Sequence, residues 1–423
     1  MKVRLTSLDV FRGMTIMLMT IVNNPGDWGH IYAPLEHAEW HGCTPTDLVF
    51  PFFLFIVGIS TVLSTPVKKF DKSVLEKIIT RAFRIFLLGL SLNFFSKIHI
   101  GSLEGIPLML IRLVFTAIIT VLLLGEYDRK KQLYIAVGLF ALMMLLCFGG
   151  FEDFASVRIP GVLQRIAVVY LIVSIIYATT NTTVQIIIGL VCLLGYWALM
   201  ALVDVPYVGA ANFEKGTNLA AWLDNYLLPG HLWVTSKTWD PEGILSTLPA
   251  IGTGLAGVFT GKLFTNDFPK NKKVAFLLSA GVIGIMIGLL WSDFFPINKA
   301  LWTSSYVCYA AGIALMVLGA LYFVIDVLEF DVWTKPFVIF GVNPMLVFFF
   351  SGIIPRVLNM IKIAQPENLE HPNVGLVSWL YSHWITPFFT EPKNASLAGA
   401  LTYLVIWFVI LALFDRKKRI FKV

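Results

Sequence analysis

The chain has 423 residues; 57% are hydrophobic, only 14% are charged, and Phe and Trp number 34 and 12. Soluble domains carry about 25% charged residues, so a soluble globular protein is excluded. The net charge of +6 is divided among separate loops, which argues against a nucleic-acid partner, and Cys43, Cys147, Cys192 and Cys308 show neither metal-ligand nor disulfide-framework spacing.

In chain order, apolar runs fall at 6–24, 46–66, 75–96, 106–125, 133–150, 160–179, 183–203, 243–263, 274–293, 300–326, 335–355 and 396–414. Each is about long enough to cross about 30 Å of hydrocarbon as a helix. The expected fold class is all-α: one polytopic bundle over 1–423 with about twelve transmembrane helices. The first run contains Asp9 and Arg12 and no small-residue cleavage site, so it reads as a retained span and not a signal peptide. The segment 371–390, rich in Trp and Tyr, reads as interfacial or re-entrant and not spanning. Basic loops at 66–77, 126–132 and 264–273 and the tail 415–423 then share one side with Lys2 and Arg4. The positive-inside rule makes that side cytoplasmic and puts both termini there.

Polar residues gather on the opposite, outer side. Asn23 to Gly58 reads NNPGDWGHIYAPLEHAEWHGCTPTDLVFPFFLFIVG and sets His37, His41 and Asp47 between the first two spans. RIPGVLQR at 158–165, the loop 204–242 with WDPEG at its end, and FPINK at 295–299 join it there. The loops on the basic side are too short for a soluble catalytic unit, so any reaction belongs within or just outside the membrane. A neutral imidazole takes a proton from an ammonium or attacks a thioester. The plainer role for His37 is an interfacial histidine bonding to water or a headgroup, and His30 and His41 share its loop.

SLDVFRG at 7–13, the Asn23 to His37 loop, TDLVFPFFLFIVG at 46–58, RIPGVLQRI at 158–166, DPEGILST at 240–247, PINKALWTSSYV at 296–307 and KKRIF at 417–421 run in order through nearly the whole chain. With these blocks the sequence resembles the transmembrane heparan-α-glucosaminide N-acetyltransferase family. The resemblance implies that acetyl from cytosolic acetyl-CoA, the co-substrate, passes to the amino group of a glucosamine-type sugar across the membrane, with no metal. It implies a catalytic histidine in the first outer loop, which the HAEW motif aligns with His37, and a preceding asparagine, Asn23. The sequence differs from the family's animal enzymes in lacking an N-terminal lumenal domain, in two additional spans before RIPGVLQR, and in a shorter 204–239 loop. In this it is similar to compact bacterial members, which implies a bacterial inner membrane and an acceptor sugar that need not be heparan. Membrane lipid is an expected partner, and a homodimer is left open.

Each remaining candidate has a structural and a chemical reading. Asn23 ends the first span, as a C-cap or as a hydrogen-bond donor to the acetyl oxygen or sugar. Asp47 starts the second, as an N-cap or as the group that orients a histidine. Asp9 and Arg12 lie three apart on one helix face, a neutralising pair or, through Arg12 with Arg4, a contact to the CoA phosphates. Arg81 and Arg84 extend that patch or snorkel to the interface. Gln164 and Arg165 open the sixth span near the outer face, where an Arg needs a carboxylate or a ligand. Asp240 and Glu242 are its candidate partners or clamps for the acceptor, and Asn298 and Lys299 complete an outer substrate-binding ring. Asn343 sits beside a proline inside the eleventh span, and Gly252, Gly254, Gly257 and Gly261 mark close helix packing. Outer polar clusters, intramembrane charges and a Pro-broken helix also suit a sugar or proton-coupled transporter, against which stands the lack of an internal repeat.

Overall fold

Apolar runs punctuated by short polar caps fold into helices, and each of the twelve expected spans is helical in the computed structural model, which describes residues 5–64, 70–365 and 373–417. Lys2, Arg4, residues 66–69 of the first basic loop and residues 418–421 of the closing KKRIF block lie outside the described residues.

The order is α1 (Thr6–Val22), a 3-10 turn (Pro45–Leu48) running into α2 (Val49–Ser64), α3 (Lys72–Phe95), α4 (Gly105–Leu124), α5 (Arg129–Phe148), α6 (Val162–Thr179), α7 (Thr182–Leu202), α8 (Leu219–Leu227), α9 (Thr247–Thr265), α10 (Lys270–Trp291), α11 (Ser304–Tyr322), α12 (Lys335–Val342), α13 (Pro344–Leu358), β1 (Lys362–Ala364), β2 (Asn373–Gly375), α14 (Leu376–Trp384) and α15 (Pro392–Arg416). Side-chain caps start several of them: Asp71 accepts from Val74 N at 2.9 Å, Asp128 from Lys131 N at 3.0 Å and Asn181 from Val184 N at 3.0 Å.

Among the described residues, nine helices are long and apolar enough to cross a membrane, and ten if α12 and α13 count as one bent span. α1, with 17 residues, and α9, diluted by Gly and Thr, are not among them. α2 is central: with its preceding turn it is 72% buried, and it packs against α9, α6, α1 and α11. α5, α7 and α10 are only 17% buried and turn aliphatic faces outward, a surface suited to hydrocarbon and not to water. The molecule reads as an integral membrane bundle.

Glycine sets the closest approaches. A Cβ at Gly58 would lie 2.0 Å from Gly254 O, and one at Gly257 would lie 2.0 Å from Phe55 O, so α2 and α9 touch backbone to backbone. α1 and α12 do the same: a Cβ at Gly13 would meet Phe337 O at 1.9 Å and one at Gly341 would meet Asp9 O at 2.1 Å.

The eleventh expected span is not straight. α12 and α13 meet at 79°, because Pro344 offers no amide proton and pushes Asn343 out of the helical region, to φ −124 and ψ 43. Of the 371–390 segment, the described part forms strand β2, α14 and a 3-10 turn at Thr386–Phe388. Nine residues of α14 reach about 14 Å, well short of a crossing.

Candidate active site

The loop after α1 is pinned before it reaches its functional residues. Gly26 N donates to Ser396 O at 3.0 Å and Asp27 N to Ser396 Oγ at 3.0 Å, which ties the loop to the start of α15. Pro45 then begins the 3-10 turn that leads into α2, with Asp47 in its first turn.

Asp47 takes the histidine-orienting role; the N-cap itself is Thr44, and Asp47, third in the turn, closes a capping box with it. Its Oδ2 accepts from Thr44 N and Ala38 N, each at 3.0 Å, and from the Thr44 hydroxyl at 3.1 Å, which caps the turn and folds the loop around it. Its Oδ1 lies 2.6 Å from His37 Nδ1. A carboxylate on Nδ1 fixes the ring and leaves Nε2 directed elsewhere. The His37 side chain is 54% exposed and that of Asp47 only 2%, so the imidazole is reachable while the group that orients it is closed off.

Lys299 and Asn298 arrive from the connection between α10 and α11, held there by Gly42 N donating to Ile297 O at 2.7 Å. Lys299 Nζ lies 3.2 Å from His37 Nδ1, 3.3 Å from Nε2 and 3.7 Å from Asp47 Oδ1. Near-equal distances to both ring nitrogens set the amine against the ring and not in line with either. Burial lowers the Lys299 ammonium below the ordinary lysine value, against the pull of Asp47 and Glu242. Beneath, Tyr306 donates its hydroxyl to the Asp47 carbonyl at 2.5 Å, from the first turn of α11. Asn298 Nδ2 lies 3.4 Å from His41 Nδ1, while its Oδ1 accepts from Leu301 N at 2.9 Å. His30 turns to Asp27, 2.7 Å away, and takes no part. Burial, with Asp47 beside it, pushes the Cys43 thiol up to about 12, which removes it as a nucleophile. Asn23 caps α1 with an exposed side chain that makes no hydrogen bond among the described residues, so the structure does not join it to His37.

A second charged cluster lies deeper. Arg158 donates Nε to Asp240 Oδ2 at 2.8 Å and Nη2 to Asp240 Oδ1 at 2.6 Å, and Nη2 also meets Glu242. The side chains of Asp240 and Glu242 are 0% and 8% exposed. The expected pairing of these acids with Arg165 is therefore replaced. Arg158 stands in the loop before Pro160–Gly161 and reaches the WDPEG carboxylates, whereas Arg165 is inside α6 and reaches the end of that segment and the lead-in to α9. There it donates to Gly243 O at 2.9 Å and to the Ser246 hydroxyl, with its guanidinium 5.2 Å above Trp302. Burial raises Asp240, while for Glu242 the cations Arg158, Arg165 and Lys299 outweigh burial and hold it below its usual value. Asp224 of α8 accepts from Ile244 N at 2.8 Å and Asp240 N at 3.2 Å, which closes the cluster from outside. Gln164 is buried against Gly89 and Gly161, away from His37.

A cavity of about 500 Å3 runs along the bundle interior between α1, α2, α3, α6 and the α12–α13 break. Its polar lining is Asp9, Arg12, Ser60, Ser64 and Arg81. Arg12 donates to Asp9 at 3.1 Å, to Gly341 O at 3.3 Å and to Ser60 Oγ at 2.9 Å, and Arg81 lies 4.9 Å above Tyr170. Arg84 is on another face of α3 and donates to Leu123 O at 2.5 Å, so it does not line the cavity. The other end is apolar, at Ile16, Phe53, Leu163 and Ile166. Phe53 is six residues beyond Asp47 on α2, about 9 Å along the axis, so one helix carries both the cavity's apolar end and the His37 cluster. No group of three His, Cys, Asp or Glu suited to a metal occurs among the described residues.

Arg158 and Tyr306 were not singled out from the sequence. Both lie inside the RIPGVLQRI and PINKALWTSSYV blocks, and a charge beside a Pro-Gly turn was the available signal for Arg158.

Residues 4–156 match the family described as heparan-alpha-glucosaminide N-acetyltransferase, catalytic. The chain is 30% identical over 397 aligned residues to the heparan-alpha-glucosaminide N-acetyltransferase of Homo sapiens and 27% to that of Mus musculus, with 82% of this chain covered in both. The chain belongs to this family. It spans about half the length of these curated relatives, 52% and 53%. The family match contains His37, Asp47, Asp9 and Arg12 and ends just before Arg158, so Lys299 and the Arg158 cluster are joined to the matched region only by the fold.

Proposed function

We propose that this protein is a membrane acetyltransferase that moves acetyl from acetyl-CoA, entering from the cytoplasm, to the amino group of a glucosamine-type sugar at the outer face. The observation that carries this reading is the pairing of a reachable His37, oriented by buried Asp47, with an interior cavity whose far end holds cations. The proposed topology has twelve crossings with both termini cytoplasmic. The basic loops 126–132 and 264–273 then lie at the cavity's polar end and His37 at the opposite one.

Arg12 and Arg81 suit the donor's phosphates, and the slim pantetheine arm suits the apolar passage past Ile16 and Phe53. His37 Nε2 takes a proton from the sugar's ammonium. The freed amine attacks the thioester carbonyl, a C–N bond forms as the C–S bond breaks, and of the two protons lost from nitrogen one goes to the leaving CoA thiolate and the other passes from His37 to solvent. Asp47 steadies the imidazolium formed in between.

The test uses proteoliposomes with labelled acetyl-CoA inside and glucosamine outside. Label on external sugar is the expected result. Movement of unmodified sugar without label would overturn the reading in favour of a transporter.

A further inference from the structure

Lys299 is an amine already standing where an acceptor amine has to come. Its Nζ is 3.2 Å from His37 Nδ1, 3.3 Å from Nε2 and 3.7 Å from Asp47 Oδ1, lying against the ring of the proposed base within reach of its free nitrogen. Among the described residues it is the only lysine amine in hydrogen-bond contact with an imidazole. Of the others, Lys262 bonds to Gln185 and Thr182, Lys97 to Ser156, Lys270 to Asp326 O and Lys273 to Phe264 O. The Lys299 side chain is 21% exposed, so the amine is covered but not sealed from a group that reaches His37. Its neighbours Asp47 and Glu242 are held by Thr44, Ala38 and Arg158, and neither carboxylate depends on Lys299 alone.

We infer that Lys299 is a self-acetylation site, modified by the donor when no sugar occupies the outer face. This rests on the proposed acetyltransferase reading. The Lys299 ammonium gives a proton to His37 and its lone pair attacks the thioester carbonyl. A C–N bond forms as the C–S bond breaks, and the leaving CoA thiolate takes one of the two protons lost from nitrogen. The products are Nε-acetyl-lysine, CoA thiol and one proton released to solvent. Burial favours the neutral, nucleophilic amine, and proximity supplies the rest. The product is a dead end for catalysis: a neutral amide fills the acceptor's place and the charge beside the imidazole is gone. Excess donor without acceptor thus switches the enzyme off.

The full chain, purified in detergent, is incubated with isotope-labelled acetyl-CoA with and without glucosamine, treated with hydroxylamine to strip acetyl-imidazole, digested and read by peptide mass spectrometry. Transfer to glucosamine is assayed on the same preparation. The expected result is amide-bound label on Lys299 exceeding that on other lysines by about tenfold or more, suppressed by glucosamine and absent in His37→Ala, with transfer activity falling as the modified fraction grows. An unlabelled Lys299 in a preparation that transfers acetyl to glucosamine overturns this inference alone. So does label spread evenly over the lysines. Neither label nor transfer overturns the acetyltransferase reading and this inference with it.

Discussion

The His37 and Arg158 clusters each join a cation to a pair of acidic or basic neighbours, yet they are built on opposite plans. In the first, a closed carboxylate holds an imidazole that is 54% exposed, with one ring nitrogen left for a ligand. In the second, a guanidinium grips Asp240 through both oxygens and reaches Glu242, and the two acids are 0% and 8% exposed. A charge saturated by its neighbours holds loops together, whereas a cluster with one reachable, incompletely satisfied atom is equipped for chemistry. The structure therefore favours an architectural role for Asp240 and Glu242, whereas Nε and Nη1 of Arg165 are buried without a hydrogen-bond partner among the described residues.

The sharpest way to break this contrast is His37→Ala. Loss of the base is expected to lower acetyl transfer about 100- to 10,000-fold with the amount of folded protein unchanged, as read by size-exclusion chromatography. Retained transfer would put the chemistry elsewhere. Asp47→Asn comes next: an amide cannot accept from Ala38, Thr44 and His37 together, so the ring is released and activity falls about 100-fold. In the other cluster, Arg158→Met leaves two buried acids without their cation and should cost about 3–5 kcal/mol of stability. The thermal midpoint and yield drop while activity per folded molecule persists; a selective loss of activity would instead make Arg158 part of acceptor binding. In the cavity, Arg12→Gln is expected to raise the KM for acetyl-CoA about tenfold with kcat little changed.

The smallest effect concerns pH. Burial raises Asp224 from 3.8 to about 7, so the folded chain favours its protonated form. Stability from this group is fully present below its unfolded pKa and is lost as pH rises through about 7. The thermal midpoint should then be higher near about pH 5 than near about pH 8, and Asp224→Asn should flatten the difference. An unchanged slope in that variant would locate the pH dependence elsewhere.

The helices were legible because lipid-length apolar runs leave few alternatives, and the close packing of α2 on α9 was legible from the glycines at helical spacing. His37 and Asp47 were legible because ten residues of one loop separate them. Lys299 lies 262 residues from His37, and contacts between the two segments, the Gly42–Ile297 hydrogen bond among them, set the two side by side. The choice of Asp240's partner was equally hidden. Arg158 and Arg165 sit in the same short motif, and which of them pairs with the WDPEG carboxylates depends on where α6 begins. Asn23 and Arg84 show the converse: residue type suggested a site, and the direction of the side chain took each elsewhere.

The close approach of α1 and α12, with Gly13 against Phe337 and Gly341 against Asp9, places Arg12 against the Gly341 carbonyl. A methyl group at either glycine would wedge α1 from α12 and draw the guanidinium off its seat. Two positions over three hundred residues apart are thus bound to a common fate. In any lineage descending from this chain, the floor of the cavity is inherited whole or lost whole, and a mutation too small to notice in most helices would be the one that decides.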